Sequence, residues 1–437
     1  MAARAPLALL ALVGAIACRP PGVIQPFHDS GDSRPDTVDS DDSDPDPVDT
    51  AGPDTIPDAP DPSDVLFSDE ELPVFTIKIS RLAANQLQAE VAGGAHEWVE
   101  ATFVYDDREY SQVGIRLKGE NSFEAFRSKP SIKVDFNRHV EDQELRGLTS
   151  ITLNNMNNDY SMMHERLAYR VYRELGVPAY RANHALVYVQ ELDPEGAVVS
   201  DRFYGLYSLL EDANKDMIRR WFDDEDGTLF EIWDADFYDG YVPCPNTYGS
   251  AGCFQLEYGE ENREPIQAVA DALELTGEAA IEAADPHFDW DGWVSYWAAG
   301  ALVAQYDSYP YASPGDDCHV YHDPTSGKLV FIPHGEDETF YHGDHDFTSV
   351  NGIVAQRCKA SPTCFQAFQD RTWEAYDSAQ AWDWLGYFDQ VHDQIEPWVQ
   401  EDTNRWYTDE YVVYYQQYMR DFIAHRQAAI QAVIGPR

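Results

Sequence analysis

From Val74 onward, polar and apolar positions alternate with a period of two in four successive runs, "VFTIKIS", "EWVEATFVYDD", "REYSQVGIRLKG" and "KPSIKVDFN". That period turns every second side chain to one face and predicts half-buried strands. The period then lengthens. In "SMMHERLAYRVYREL", Met163, Leu167, Val171 and Leu175 share one helical face, and Gly176, Val177 and Pro178 close the helix. "HALVYVQEL" and "DRFYGLYSLLED" return to strand, joined as a hairpin by "DPEGAVVS". After about Asn262 the pattern becomes that of long aromatic-rich helices: "EPIQAVADALEL", "DGWVSYWAAGALVAQY", "QAFQDRTWEAYDSA" and "DEYVVYYQQYMRDFIAHRQAAIQAVI". One hairpin, "CHVYHDPTSGKLVFIPHG", interrupts them.

An antiparallel sheet with one inserted helix, followed by a helical half, predicts an α+β layout in two lobes. The β-rich lobe runs over about 73–260 and the helical lobe over about 261–437, with a cleft between them. With 437 residues, 43% of them hydrophobic and 13% aromatic, the chain has the material for large cores.

The first 72 residues follow a different pattern. Met1 to Cys18, "MAARAPLALLALVGAIAC", has Arg4 as a positive start, an apolar run from Leu7 to Ile16 and small residues before Cys18. It reads as a secretory signal and is too short to span a membrane as a mature helix. Its end resembles a bacterial lipoprotein lipobox, with Ala15 where Leu is usual, which makes Cys18 the expected lipidation site and a membrane lipid the expected partner. Residues 19–72 hold sixteen acidic residues against two basic ones, with little to bury, and are expected to form a disordered, self-repelling linker. The tract lacks the spaced ligands and turn glycine of a calcium loop. The expected destination is the cell envelope.

A formal net charge of −48 argues against nucleic acid, which is bound through clustered Lys and Arg. Beyond Cys18 the chain has five cysteines. Cys244 with Cys253 and Cys358 with Cys364 are close pairs in loop-like sequence, which in an exported protein predicts two local disulfides. Cys318 is left odd, either free or replacing a member of one pair. Neither pair has zinc-finger spacing.

One stretch carries candidate chemistry. "LVFIPHGEDETF" leads from a buried-strand pattern into Glu336, Asp337 and Glu338 with no polar spacer. It is either an acidic surface turn or a metal or phosphate site held at a strand end.

"GIRLKGENSF", "KPSIKVDFN", "ITLNNMNNDYSMMHERLAYRVYRELGVPA", "FYGLYSLLEDANKDMIRRWF", "GTLFEI" and "HVYHDPTSGKLVFIPHGEDETF", in that order over roughly Val74 to Tyr341, resemble the CotH family of spore-coat-protein-H-type atypical kinases. The resemblance implies an atypical protein-kinase-like fold that binds ATP and Mg2+ between its lobes and phosphorylates Ser or Thr of surface or secreted proteins. It puts Lys129 in the place of a strand lysine contacting nucleotide phosphates and Glu211 in that of its conserved acid partner. Asp307 stands at the proposed catalytic Asp, and Asp337 at the second acid of the family's "PWDxD". Such a set suits phosphoryl transfer, which needs cations on phosphate oxygens, carboxylates on magnesium and an acid orienting the nucleophile.

The chain also departs from the family. "PHGED" puts His334 at the Trp and Gly335 at the first Asp, and Asp316-Asp317 replaces an Asn pair. Asp317, Glu336 and Asp337 are then the expected magnesium ligands. His164, where many members have Arg, is read as a polar-network histidine rather than a base. The alternative function is a catalytically weak or inactive surface adhesion module. Glycoside hydrolysis has no carboxylate pair that the sequence singles out.

Overall fold

Alternation in the first half sorts side chains between the inside and outside of a barrel. Val113, Ile115, Leu117, Ile132, Val134, Ile151 and Leu153 are buried in one core, together with Phe75, Ile77 and Val187. Each fully buried side chain of this kind contributes about 1.5–3 kcal/mol relative to exposure. The computed structural model describes residues 61–92, 94, 96–119, 122–238, 252–312 and 314–437. Seven strands, Val74–Ser80 (β1), Val99–Tyr105 (β2), Arg108–Lys118 (β3), Ser131–Asp135 (β4), Ser150–Asn154 (β5), Ala182–Leu192 (β6) and Val198–Glu211 (β7), close in the order β1-β2-β3-β4-β5-β7-β6. The expected antiparallel sheet closes into a barrel, and one pairing in it, β1 with β6, is parallel, Val74 opposite Leu186. Closure leaves no edge strand to protect.

A second antiparallel sheet holds Thr228–Trp233 (β8), Cys253–Tyr258 (β9), Cys318–Asp323 (β10) and Lys328–Pro333 (β11), in the order β11-β10-β8-β9. The ten α-helices among the described residues are Arg81–Gln88 (α1), His164–Glu174 (α2), Lys215–Trp221 (α3), Glu264–Ala272 (α4), Glu278–Ala284 (α5), Trp290–Val303 (α6), Ile353–Ala360 (α7), Pro362–Ala381 (α8), Trp384–Glu401 (α9) and Asp409–Ile434 (α10). Helix α6 is apolar on nearly every side, as befits a helix surrounded by protein. Its Trp297 stacks on Phe368 of α8 at 3.7 Å, and Trp293 meets Phe331 of β11 edge-on. The larger core joins α2, α6, the second sheet and the C-terminal helices.

Cys358 and Cys364 form the expected disulfide between α7 and α8. Cys253 is disulfide-bonded, Cys244 lies outside the described residues, and Cys318 is free and buried. Cys18 and residues 1–60 also lie outside them. Among the described residues, no helix is long and apolar enough to cross a membrane.

The end of the expected linker, residues 61–72, is part of the fold. A 3-10 turn at Pro62–Phe67 buries Leu66, and Asn183 donates its side-chain amide to the Leu66, Ser68 and Glu71 carbonyls. Its acids have local cations: Asp61 and Asp64 meet Arg181, and Asp69 meets Arg166 and Arg170. Composition makes this segment look like tether because those arginines lie more than a hundred residues away or nearly so.

Lys129 joins the lobes. Its ammonium, 1% exposed, lies 2.7 Å from Asp402 Oδ2 in the turn after α9. Asp402, 0% exposed, also accepts from the Leu206 and Asn404 amides. At Gly205, with φ +134°, a Cβ would fall on the Asp402 carboxylate at 2.3 Å. Replacing Lys129 with Met leaves a buried carboxylate without its cation, and should lower unfolding free energy by about 3–5 kcal/mol in urea titration. A midpoint equal to the parent's would contradict this role.

Candidate functional site

The strand alternation that sends hydrophobes into the barrel sends cations out of it. Arg116, Lys133, Thr152 and Leu210 are consecutive cross-strand partners on β3, β4, β5 and β7. They form one wall of a cleft of about 210 Å³, with Lys118 and Asp212 beside them. The second sheet supplies the other wall through Glu231, Glu257 and His319, with His334 just after β11, and Tyr169 and Tyr180 also line the cleft. Burial would raise the Asp212 carboxyl, but Lys133, 3.3 Å away, with the Ser150 and Thr152 hydroxyls, holds it below its usual range. Burial, with Glu257 and Asp316, pushes Glu231 up to about 7. Desolvation and the Lys118 and Lys133 charges push His334 down to about 3, and His319 is held neutral mainly by burial. Its Nδ1 pairs with the Tyr180 hydroxyl at 3.1 Å.

The acidic stretch continues from β11 into a 3-10 turn, Glu336–Glu338, rather than an extension of the strand. Three residues per turn send three consecutive carboxylates in three directions. The backbone is fixed at three points: Gln305 donates to the Gly335 carbonyl (2.8 Å), His164 Nδ1 to the Asp337 carbonyl (2.8 Å), and the Phe340 amide to the Val303 carbonyl (2.8 Å). Glu336, 0% exposed, turns into the helical core, where the Tyr172 hydroxyl and the Gln305 amide lie beside its carboxyl. Burial pushes it well above the carboxylate range. Glu338 accepts from the Tyr306 hydroxyl at 2.7 Å.

Asp337 faces Glu165 of α2. Desolvation, then the Glu338 charge, raises Asp337 to about 6, and burial, then Asp337, raises Glu165 to about 8. Asn154 donates to one Glu165 oxygen at 3.1 Å, and the Ser208 hydroxyl also lies beside the carboxyl. Lys118 is the cation whose charge reaches both acids. Helix α2 starts where it does because Asp159 accepts from the His164 amide (2.6 Å) and from Ser161. His164 is a buried network residue, as expected, with Nε2 3.5 Å from Asp159.

The expected site residues are only partly brought together. Asp307, just beyond α6, is half-buried and raised by burial and Glu338; Asp317 is raised by burial and by Asp337, Asp316, Asp307 and Glu336. These surround the turn with Asp337. Lys129 does not meet Glu211: it is sealed against Asp402, and Glu211 instead binds Arg181 and Arg220. Lys129 precedes Pro130 and lies outside β4, whereas Lys133 sits within it between Ile132 and Val134, the outward position. That alternation was the available signal for Lys133. Glu165 had none beyond its place beside His164, and Asp402 had none. Among the described residues no group of three His, Cys, Asp or Glu stands as a ready metal cage.

A closed barrel with a charged cleft against a second sheet, itself packed on helices, is the mixed α+β architecture of a kinase-like protein. The chain belongs to the CotH family: the family model "CotH kinase protein" matches residues 115–430. Among solved structures, the Helicobacter pylori proinflammatory kinase CtkA is similar at 11% identity and TM-score 0.28, covering 70% of this chain and 92% of that one. The Golgi casein kinase gives 10%, 0.28, 85% and 76% in the same order. HipA of the Shewanella oneidensis MR-1 toxin–antitoxin system, solved with HipB and operator DNA, gives 10%, 0.26, 80% and 68%. No curated protein matches the chain.

The raised carboxyls give a signed pH dependence. Glu165 and Asp337 hold protons in the native state that they release on unfolding, so their contribution is present below about pH 4 and is lost as pH rises through about 6 to 8. The melting temperature should fall between pH 5 and 8.5, and Glu165→Gln should flatten that fall. An unchanged slope in Glu165→Gln, measured by circular dichroism, would show that Glu165 does not carry it.

Proposed function

We propose that the protein is an exported, membrane-tethered CotH-type kinase that binds ATP with magnesium and phosphorylates Ser or Thr of surface proteins. The observation that carries this reading is the cationic wall of the cleft, Arg116, Lys118 and Lys133, with the Lys118 charge also acting on the acids Glu165 and Asp337. Lys118 has no direct ion-pair partner among the described residues, so it is available to a phosphate. Lys118 and Lys133 take over the phosphate contact expected of Lys129. Magnesium is commonly held by one or two carboxylates plus substrate phosphates rather than by a dedicated protein cage, which suits Asp337 with one further acid. When bound, the magnesium nucleotide supplies the phosphoryl group and neutralises its charge. Asp307 orients the acceptor hydroxyl and takes its proton, a role its raised carboxyl favours.

The competing reading, a binding module without turnover, rests on one observation. Gly335 removes a family carboxylate from the turn. Calorimetry with ATP, with and without magnesium, separates the two. Magnesium-dependent binding is expected, with Lys133→Met weakening it at least about tenfold, equivalent to ~1.4 kcal/mol. Asp307→Asn should keep binding and lose phosphoryl transfer. A parent protein that binds no magnesium nucleotide overturns the kinase reading.

Anchorage through Cys18 belongs to the same proposal and rests on the lipobox-like end followed by an acidic tract. Cys18→Ser should move the protein from the membrane fraction to the soluble one, and a variant that stays with the membrane would refute lipid attachment.

A further inference from the structure

Helix α10 carries two faces. Val412, Gln416, Met419, Ile423, Arg426 and Ile430 recur every three or four residues and are buried against the helical core. A second stripe, Tyr411, Tyr414, Tyr415 and Tyr418, has the same period and reaches the surface, with Tyr411 39%, Tyr414 61% and Tyr418 36% exposed. Tyr407 stacks on Tyr411 at 5.1 Å, and Tyr160 sits against Tyr341, Tyr407, Tyr411 and Tyr415 with ring centroids 4.7 to 5.5 Å away. Trp406, 63% exposed, precedes them. From Tyr411 to Tyr418 the stripe runs roughly 10 Å, at about 1.5 Å per helical residue. With Tyr407 it has room for about four residues of an extended chain, at roughly 3.3 Å each.

The polar ends of these rings are largely spent. Tyr341, Tyr407 and Tyr418 donate their hydroxyls to the Asn158, Asn157 and Tyr341 carbonyls, so ring surface is what remains for a partner. An aromatic ring is negative on its face and attracts cations. The neighbouring charges have the same sign. The Asp159 carboxylate acts on Tyr341 and Tyr407, and those of Glu338 and Asp307 act on Tyr306, which Tyr160 also reaches. Glu410 is exposed in the first turn of α10, while Arg405 is turned onto the Val399 and Tyr407 carbonyls and paired with Asp409. We propose that the tyrosine face of α10 is a docking surface for an arginine-bearing segment of a partner protein. Guanidinium is planar, weakly hydrated and stacks on aromatic rings, and its forked donors can reach a carboxylate such as Glu410 while it does so. A net charge of −48 repels nucleic acid and anionic lipid, and the chain's own acidic tract before residue 61 is repelled likewise. A neutral glycan could stack on the rings but would gain nothing from the charge. The face borders the acidic turn, with Tyr341 edge-on to His164 at 4.6 Å. A segment docked on it runs toward Asp337 and Glu338 whether or not the protein turns over nucleotide.

Fluorescence anisotropy on the full chain at physiological salt tests this, with a labelled Arg-Gly octapeptide as the probe and a Gln-Gly octapeptide and chitohexaose as competitors. The arginine peptide should bind, and neither competitor should displace it. Tyr411→Leu combined with Tyr414→Leu keeps the net charge and most of the apolar area but removes two rings, and should lose about tenfold in affinity, the scale of two cation–π contacts. Tyr411→Phe combined with Tyr414→Phe keeps the rings and should bind as the parent does. Both positions are exposed, so both variants should melt with the parent. Equal affinity in the parent and the leucine variant would mean that net charge alone captures the peptide, and would overturn the docking surface, as would a parent that does not bind the peptide. Displacement by chitohexaose that disappears in the leucine variant would give the face to a glycan and overturn it too. Magnesium-nucleotide binding in the leucine variant should equal the parent's, which keeps this outcome separate from that of the kinase reading.

Discussion

Several carboxylates are held close together in a region with few cations, and the fold must keep them there. Asp337 raises Glu165, Asp317 and Glu336, Glu165 raises Glu336, and Glu336 raises Asp317, on top of the cost of burial. Left to move, the turn at Gly335–Glu338 would relieve that repulsion by turning outward. Gln305, His164 and Val303 prevent it by gripping the main chain instead of the acidic side chains. Held through its main chain, the turn keeps its acids in place despite their mutual repulsion.

The barrel supplies the opposing charge by a simple geometric rule. Period-two alternation assigns Ile115, Leu117, Ile132 and Val134 to the core and Arg116, Lys118 and Lys133 to the outside. Pairing in register then brings Arg116 beside Lys133 across adjacent strands, a close approach of like charges that is unfavourable unless anions lie nearby. Asp212 answers Lys133 directly, and Lys118 is left to act on the acids of α2 and the turn. A core made of alternate residues thus produces a cationic wall with no loop to position it.

Individual elements were legible in the sequence because they depend on local pattern. Strands β1 to β4, β6 and β7, helices α2, α6, α8 and α10, the β10–β11 hairpin and the Cys358–Cys364 bridge follow from periodicity or short spacing. Barrel closure was not legible, since the β1–β6 pairing joins residues whose alternation is the same whether the sheet is open or closed. Helix α9 was concealed by Pro397 within it. The acidic turn was recognisable as unusual, but its 3-10 winding, which sends Glu336 inward and Glu338 to Tyr306, depends on the three backbone contacts from distant elements. Lys129 was misplaced for the same reason: its partner, Asp402, is 273 residues away and carries no local signature.

That pair also fixes how the barrel meets the helices. A buried ion pair is costly to assemble but costlier to break by halves, so it adds less to net stability than to fixing which surfaces meet. Lys129 and Asp402 bring the turn after α9 against β7, where the Leu206 amide completes the acceptor's bonds. Asp69 ties the start of the fold to Arg166 and Arg170 of α2 and to Tyr387 of α9. Helix α2, which carries Glu165 and His164, is thereby held both by the segment before β1 and by the helices near the C-terminus. Its face toward the acidic turn is consequently set by contacts from both ends of the folded chain, so the distance between the cationic wall and the acids follows from the whole fold and cannot be tuned by either lobe alone.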